Sequence, residues 1–364
     1  MQQRNQPITT PKHVAILFLS ALGDFLLGLP LISEVRRVYP DARLTLICQR
    51  PAVGALAAAT GAADEVITLP SEARRSLPAL THSLLLMRRL SADVVLLTFS
   101  SHGAFGNLLA GASRAPARVG FGSGRFQNLL THRVPVSENQ HRVLLNLSLL
   151  RRLGHAQVQP PDGRYLPDME RHSVSYPLGA ARQKHGQYLL LSLGSDPKLA
   201  FKRWPARHWT DLSARLTADG CNLVFVGDKS QRAEIAHVIE GAGIAAANLA
   251  GTTSFEDLAA LVGASQAVIA TDGMVLHLAS AMNKASVGVF GPTHPDIGGP
   301  WGSQHKKAYL NLPCSPCYGS HTIGKGAGCA TRECLTHLSA EMVYQKVQNA
   351  LSDLSSQCLL KEGH

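Results

Sequence analysis

The sequence predicts two α/β domains, each built on a doubly wound parallel sheet. The chain has 364 residues, more than a single hydrophobic core usually supports. Short apolar segments alternate with helical ones on both sides of residues 156–187, a segment rich in proline, glycine and polar residues. Apolar strands separated by helices are typical of a parallel sheet covered on both faces. A polar segment of this kind is typical of a domain linker.

The first half of the chain contains four predicted strands and two predicted helices. The strands are continuous apolar segments with no polar alternation, as expected for strands buried on both faces. They lie at 13–19, 43–48, 65–68 and 93–98. The helices lie at 25–39, where the apolar residues have helical spacing, and at 51–60.

The same alternation restarts after the linker. Predicted strands lie at 188–193, 222–226, 267–270 and 286–290, and predicted helices at 206–218, 230–241, 254–263, 275–282 and 338–354. Ser254 and Asp257 fit an N-terminal cap of the third helix. We therefore place the domains at 1–175 and 176–340, with a ligand-binding cleft between them. We expect the helix and tail at 341–364 to pack back on the N-terminal domain.

The net charge of +10 indicates an anionic partner. The arginines are scattered, mostly in pairs such as those at 36–37, 74–75 and 151–152, and no dense basic run is present. Aromatic residues, which stack on single-stranded bases, make up only 5% of the chain. These features favour an anionic substrate or a lipid surface over nucleic acid.

The apolar segment 14–32 has the length of a membrane anchor, yet Asp24 lies in its middle. A carboxylate at the centre of a span costs roughly 2.5–3.5 kcal/mol, and no small-residue cleavage site follows. We interpret the segment as a strand, a turn and a helix, and we predict a cytoplasmic protein.

Five stretches in collinear order carry a resemblance to a known family. They are LSALGDFLLGLPLISEVRRVYPDARLTLIC at 19–48, ARVGFGSG at 117–124, KRWPARHW at 202–209, LAGTTSFEDLAALVGASQAVIATDGMVLHLASA at 249–281 and FGPTHP at 290–295. Together they resemble the ADP-heptose:lipopolysaccharide heptosyltransferases, glycosyltransferase family 9. The resemblance implies a GT-B fold, in which two Rossmann-like domains face each other. It also implies an acceptor site on the N-terminal domain and a nucleotide-sugar site on the C-terminal one.

The reaction that the resemblance implies is an inverting transfer of heptose from ADP-heptose to the lipopolysaccharide inner core. Asp24 matches the family's general base, which takes the proton of the acceptor hydroxyl. An alternative role for Asp24 is helix N-cap. Ser20, Gly23, Arg118 and Arg125 are the candidates for binding the acceptor, a core heptose or Kdo. We expect a protein peripheral to the inner membrane.

The donor site implied by the resemblance lies on the C-terminal domain. Lys202 matches the lysine that contacts the donor diphosphate, where a cation stabilises the leaving group without a metal. The further candidates are Ser195, Arg203, Asp228, Thr253, Asp272, Gly273, Met274, His277, Gly291, Pro292 and Thr293. This chain departs from the family at Gly273-Met274, where a serine or threonine followed by glycine is usual, so the methionine is expected to crowd the donor or bend the loop.

Four cysteines cluster near the C-terminus as Cys314-x2-Cys317-x11-Cys329-x4-Cys334. The spacing fits a tetrahedral zinc or iron site, and it also fits a loop with reduced thiols. A four-cysteine site has no open coordination position, so the metal would be structural. Catalysis is expected to need no cofactor.

Three other functions stay open. One is transfer of heptose to a protein, such as an autotransporter, by a metal-bearing relative. Another is a non-catalytic homologue that binds nucleotide sugars, for which the Gly273-Met274 departure is the reason. The third is nucleic-acid binding, which would weaken steeply with salt.

Overall fold

The computed structural model describes residues 10–137, 139–161, 163–166, 184–194, 197–318 and 329–362. The chain divides into two compact units, Met1–Pro167 and Asp168–His364. The boundary that we predicted, at 175/176, lies outside the described residues. Among those residues, no helix has both the length and the apolar character needed to cross a bilayer.

In the described part of the first unit, six parallel strands form one sheet. They are β1 (His13–Phe18), β2 (Arg43–Cys48), β3 (Glu65–Thr68), β4 (Val94–Leu97), β5 (Ala117–Phe121) and β6 (His132–Val134). The order is β3-β2-β1-β4-β5-β6, and every pairing is parallel. The strand order reverses beside β1, the place where doubly wound sheets bind ligands.

Helices cover both faces of this sheet. They are α1 (Leu22–Leu26), α2 (Leu29–Val38), α3 (Pro51–Ala59), α4 (Leu77–Arg89), α5 (Ala104–Ser113) and α6 (Arg142–Arg152). The helix predicted at 25–39 is instead two helices that meet at Gly28. A Cβ on Gly28 would lie 2.3 Å from Cε1 of Phe18, so glycine allows the chain to approach β1. Pro30 then suits the first turn of α2, where no intrahelical N–H bond is needed.

The described part of the second unit repeats this plan. Its strands are β7 (Tyr188–Ser192), β8 (Asn222–Phe225), β9 (Ala247–Asn248), β10 (Ala267–Thr271), β11 (Ser286–Val289) and β12 (His305–Ala308). They are ordered β12-β11-β10-β7-β8-β9, and all pairs are parallel. The predicted fold class, two Rossmann-like units with parallel sheets, is therefore confirmed.

Seven helices of the second unit follow in the described residues. They are α7 (Ala206–Ala218), α8 (Arg232–Gly241), α9 (Phe255–Ala264), α10 (Met274–Ala281), α11 (Pro295–Gly298), α12 (Glu333–Thr336) and α13 (Ala340–Glu362). Ser254 and Asp257 form a reciprocal capping box at the start of α9, as predicted.

The closing helix α13 packs against α7 and against strands β11 and β12 of its own unit. Val343 and Val347 lie fully buried in the core of the second unit. The expected packing of 341–364 on the N-terminal domain stays a prediction. The residues just before α13 are held by Trp204, because its buried indole N–H donates to the carbonyl of Leu338 at 2.8 Å. The apolar face of the helix therefore completes the second core.

Candidate active site

Asp24 lies in the first turn of α1, directly after the carboxyl end of β1. Ala21 is the N-cap of this helix, so the role of N-cap that we considered for Asp24 does not apply. The Ser20 hydroxyl donates to Oδ2 of Asp24 at 2.6 Å, and Nη1 of Arg142 donates to Oδ1 at 2.6 Å. Both carboxylate oxygens are thus held in a fixed orientation at the edge where the sheet order reverses.

Arg142 is a residue of this site that the sequence did not reveal. It is the first residue of α6 and lies 118 positions from Asp24 along the chain. Its guanidinium also lies over the ring of Phe99, 5.9 Å from the ring centroid. The pair is only partly exposed, with 31% of the Arg142 side chain and 16% of the Asp24 side chain accessible. A partly buried ion pair is less screened by solvent than an exposed one, so it orients its carboxylate more firmly.

The predicted acceptor residues separate into two groups. Ser20 touches Asp24, and Gly23 lies in the same turn of α1. Arg118 has a structural role, because its guanidinium donates to the carbonyls of Leu129 and Ala115. Arg125 is exposed on the loop after β5, and its guanidinium lies 5.5 Å from the Phe126 ring centroid.

A buried ion pair connects two strand ends of the second unit. Nζ of Lys202 lies 2.8 Å from Oδ2 of Asp272, with 12% and 8% of the two side chains exposed. Lys202 ends a short 3-10 segment (Pro197–Lys202) that follows β7, and Asp272 directly follows β10. Parallel pairing of β7 with β10 brings both residues to one edge of the sheet. The predicted donor residues Lys202 and Asp272 are therefore brought together.

The charge of Asp272 is stabilised by its cationic neighbours. Burial acts to raise the pKa of this carboxyl, but the charges of Lys202 and His277, with the hydrogen bond from Lys202, outweigh burial and hold the pKa below its usual range. Nε2 of His277 lies 4.0 Å from Oδ1 of Asp272. His277 is thus placed beside the pair by the second turn of α10.

The loop after β11 contains the predicted residues Gly291, Pro292 and Thr293. Gly291 and Pro292 are buried and Thr293 is half-buried. A Cβ on Gly291 would lie 2.4 Å from Cγ of Leu335, so glycine permits α12 to pack directly on the loop. The carbonyl of Pro292 accepts hydrogen bonds from the backbone N–H groups of Cys317 and Tyr318.

Tyr318 is the second residue that the sequence did not single out. Its ring lies under the ammonium group of Lys202, 5.2 Å from Nζ to the centroid, and 4.9 Å from the ring of Phe201. A cation over an aromatic face is held by the ring quadrupole. The ring therefore helps to hold the ammonium group of Lys202 in place.

Three predicted donor residues of the second unit have contacts of their own. Arg203 pairs with Glu234 at 3.2 Å. Asp228 caps the turn at Lys229–Gln231, because its Oδ1 accepts from the backbone N–H of Ser230 at 2.7 Å. Thr253 is half-buried next to the N-cap of α9.

The segment that departs from the family forms the start of α10. Gly273 is its N-cap in extended backbone, and Met274 is the first helical residue, half-buried. The helix continues regularly after Met274, so the methionine does not disrupt the helical turn. Ser195 lies outside the described residues.

The four clustered cysteines are free thiols. Burial, followed by the charges of the other three, raises the pKa of Cys334 to about 11. Within the described ranges, no three or more potential histidine, cysteine, aspartate or glutamate ligands are arranged to hold a metal ion. The metal predicted from the spacing stays a prediction.

Comparison with known proteins identifies the family. Residues 100–327 match glycosyltransferase family 9 (heptosyltransferase), and this range is more than half of the chain. The chain belongs to glycosyltransferase family 9. A family 9 protein from Veillonella parvula has the same fold, with a TM-score of 0.76 at 18% identity over 96% of this chain and 100% of the other.

Curated relatives of this family 9 chain are lipopolysaccharide heptosyltransferases. Lipopolysaccharide heptosyltransferase 2 of Salmonella typhimurium is 28% identical over 42% of this chain and 43% of the relative. Lipopolysaccharide heptosyltransferase 3 of Escherichia coli is 23% identical over 77% and 83%. The chain thus matches less than half the length of the first of these relatives.

Two further solved structures share the fold. The E. coli heptosyltransferase WaaC with ADP has a TM-score of 0.67 at 18% identity, over 93% of this chain and 99% of the other. The dodecameric iron-containing heptosyltransferase TibC in complex with ADP-D-beta-D-heptose has a TM-score of 0.58 at 14% identity, over 94% and 77%. At these identities the likeness concerns the fold.

The buried ion pair leads to a prediction about stability. We expect Lys202→Met to destabilise the protein by roughly 3–5 kcal/mol at neutral pH, because it leaves the Asp272 carboxylate buried without its cation. The double variant Lys202→Met/Asp272→Asn should be less destabilised. The penalty of the single variant should shrink as the pH falls below about 3.9, the pKa of an unfolded aspartate. Urea unfolding at several pH values measures both effects.

The half-exposed pair of Arg203 and Glu234 provides the matched control for this cycle. Arg203→Met should cost about 1 kcal/mol or less, as partly exposed pairs usually do. Equal destabilisation of Lys202→Met and the double variant would show that the two charges are not coupled.

Proposed function

We propose that this chain is a glycosyltransferase that moves a heptose from ADP-heptose to the lipopolysaccharide inner core, with inversion at the anomeric carbon. The main support is Asp24, a carboxylate held through both oxygens by Ser20 and Arg142 at the strand-order reversal of the first sheet. Family membership and the heptosyltransferase names of the curated relatives support the reaction class.

Asp24 takes the role of general base. Its carboxylate accepts the proton of an acceptor hydroxyl while the hydroxyl oxygen forms a bond to the anomeric carbon of the donor. The bond from that carbon to the diphosphate oxygen breaks at the same time, and ADP leaves with the electron pair. Attack on the face opposite to the leaving group inverts the anomeric centre. Arg142 keeps the carboxylate oriented for this step.

Lys202 takes the role of the cation that stabilises the diphosphate. An ammonium group has three donors, and one of them goes to Asp272, which leaves others for phosphate oxygens. Helix α10 has eight residues, and its N-terminus, at Gly273 and Met274, lies at the same ends of the strands as Asp272. Helix N-termini bind anionic groups. His277 adds positive potential when it is protonated. No metal is needed in this scheme.

The acceptor is proposed as a heptose or Kdo of the core, with the protein peripheral to the cytoplasmic face of the inner membrane. The net charge of +10 suits a phosphorylated glycolipid. A protein acceptor is the alternative, supported by the four clustered cysteines. Donor turnover with each acceptor class distinguishes the two.

We also keep the structural zinc or iron at Cys314, Cys317, Cys329 and Cys334 as a proposal outside the chemistry. It is supported by the spacing of the four cysteines. The described side chains do not yet form the site, so no step of the reaction is assigned to a metal.

The first prediction concerns the base. Purified protein with ADP-heptose and truncated lipopolysaccharide should release ADP, and Asp24→Asn should lower the rate about 10²–10⁴-fold, the usual contribution of a positioned base. Coupled ADP detection measures the rate. Asp64→Asn is the matched control, because Asp64 is an aspartate of the same unit that pairs with Arg36 on the surface. Unchanged turnover in Asp24→Asn would remove Asp24 from the mechanism.

The second prediction concerns Tyr318. Tyr318→Leu should weaken ADP binding about three- to ten-fold, since the loss of a cation–π contact costs roughly 0.5–1 kcal/mol or more when desolvated. Tyr318→Phe keeps the ring and should bind normally. Calorimetric titration with ADP measures the affinity, and Tyr309→Leu, at an exposed tyrosine of the same unit, is the control. Equal weakening by Phe and Leu would contradict the role of the ring.

The third prediction concerns the cysteines. Protein purified without chelators should contain about one zinc or iron per chain, and Cys314→Ser should lower that content, because it removes one of the four thiolates of a closed structural site. Plasma mass spectrometry measures the content, with Cys221→Ser as the control outside the cluster. A metal-free wild-type protein would leave the cluster as reduced thiols.

A further inference from the structure

The helical layer formed by α4 and α5 exposes apolar side chains to an unusual degree. In the described part of the first unit, the large apolar residues with high exposure are Leu77 (74%), Leu85 (50%) and Phe126 (39%). The two leucines lie on α4. Phe126 lies on the loop beside α5, because the side-chain amide of Asn107 on α5 donates to the carbonyl of the preceding residue at 3.0 Å.

The two leucines share one face of α4. Leu77, Thr81, Leu85 and Arg88 follow one another at spacings of four, four and three, so they form a single stripe along α4. All four are exposed. A helix of this length runs for about 20 Å. The stripe can therefore lie flat on a surface along its whole length.

The charge around the stripe is mostly positive, although the exposed Glu72 lies one turn before α4. Between residues 73 and 137 the sequence contains eight arginines, no lysine and a single carboxylate, Asp93. Asp93 lies four residues after Arg89, at the amino ends of the strands, and its Oδ2 accepts from the backbone N–H groups of Lys12 and His13. The exposed side of α4 thus combines apolar groups with arginines that outnumber the carboxylates.

The exposed arginines of α4 differ from those on the other side of the unit. On α2, Arg36 pairs with Asp64 and Arg37 with Glu34. Arg88 and Arg89, at the end of α4, have no carboxylate partner among the described residues. Their charge is therefore available to an external anion.

We propose that this face, which we name the α4 face (Arg75, Leu77, Leu85, Arg88 and Arg89), docks on the surface of an anionic phospholipid bilayer. Leucine side chains at the level of the headgroups, flanked by arginines, are the pattern of interfacial membrane binding. A bilayer fits this face better than a soluble protein partner does. Two leucines exposed among arginines bury more apolar surface at an acyl boundary than on a polar protein surface.

The inference rests on the proposed function in one respect. Leu77 begins α4 after the carboxyl end of β3, the same edge of the sheet at which Asp24 lies. A bilayer on the α4 face would therefore present a lipid-anchored acceptor close to the proposed base. Vesicle binding itself needs neither donor nor acceptor, so it can be tested separately from transfer.

The test is sedimentation of the full-length protein with vesicles of phosphatidylcholine, with and without phosphatidylglycerol. Wild type should bind the anionic vesicles and release them as salt is raised. Arg88→Gln/Arg89→Gln should lower partitioning about five-fold per arginine, the value expected for a cation at an anionic surface. Leu77→Ser/Leu85→Ser should lower it roughly ten-fold.

Two control variants keep the result specific. Arg36→Gln/Arg37→Gln removes two arginines that already have partners, and Met342→Ser removes an exposed apolar side chain of the second unit. Both should bind vesicles like wild type. Thermal unfolding verifies that each variant is folded. Absence of binding to anionic vesicles by wild type, or equal losses in controls and α4 variants, would overturn the proposal. Vesicle binding without heptose transfer would refute the function and leave the docking face intact.

Discussion

Parallel strand pairing is the constraint on which both candidate sites depend. In a parallel sheet every strand ends at the same edge, and the residues that follow those ends are brought together whatever their distance along the chain. Asp24 follows β1, and Arg142 follows β6. Lys202 follows β7 and Asp272 follows β10. The chemistry of each unit thus needs no long loops, because the sheet itself gathers the charged groups.

Each of the two sites contains a charge that is held by an opposite one. Asp24 is held by Arg142 at 2.6 Å, and Lys202 by Asp272 at 2.8 Å. Such pairs contribute little net stability when they are buried, since desolvation offsets the attraction. Their effect is orientation, because a charged side chain that is fixed before the substrate arrives loses less freedom on binding.

Much of the fold could be predicted from the sequence, because buried parallel strands are continuous apolar segments. Strands β2 and β3 begin and end where predicted, whereas β6, of three residues, gives too short a signal. Asp24, Lys202 and Asp272 lie in recognisable motifs. Arg142 and Tyr318 do not, since their contacts arise only when distant strands pair. The break at Gly28 was also hidden, because it depends on the distance to Phe18.

The packing of α12 and α13 has a consequence for biosynthesis. Leu335 lies against Gly291, and the carbonyl of Leu338 accepts from the indole of Trp204. The hydrophobic core of the second unit, next to Lys202, therefore stays incomplete until residues near 350 have left the ribosome. Most strands of that unit are synthesised earlier. The first unit depends on no such late segment among its described contacts. Since domains fold as units in the order of synthesis, the first unit is expected to be folded while the second unit still exposes apolar surface to chaperones.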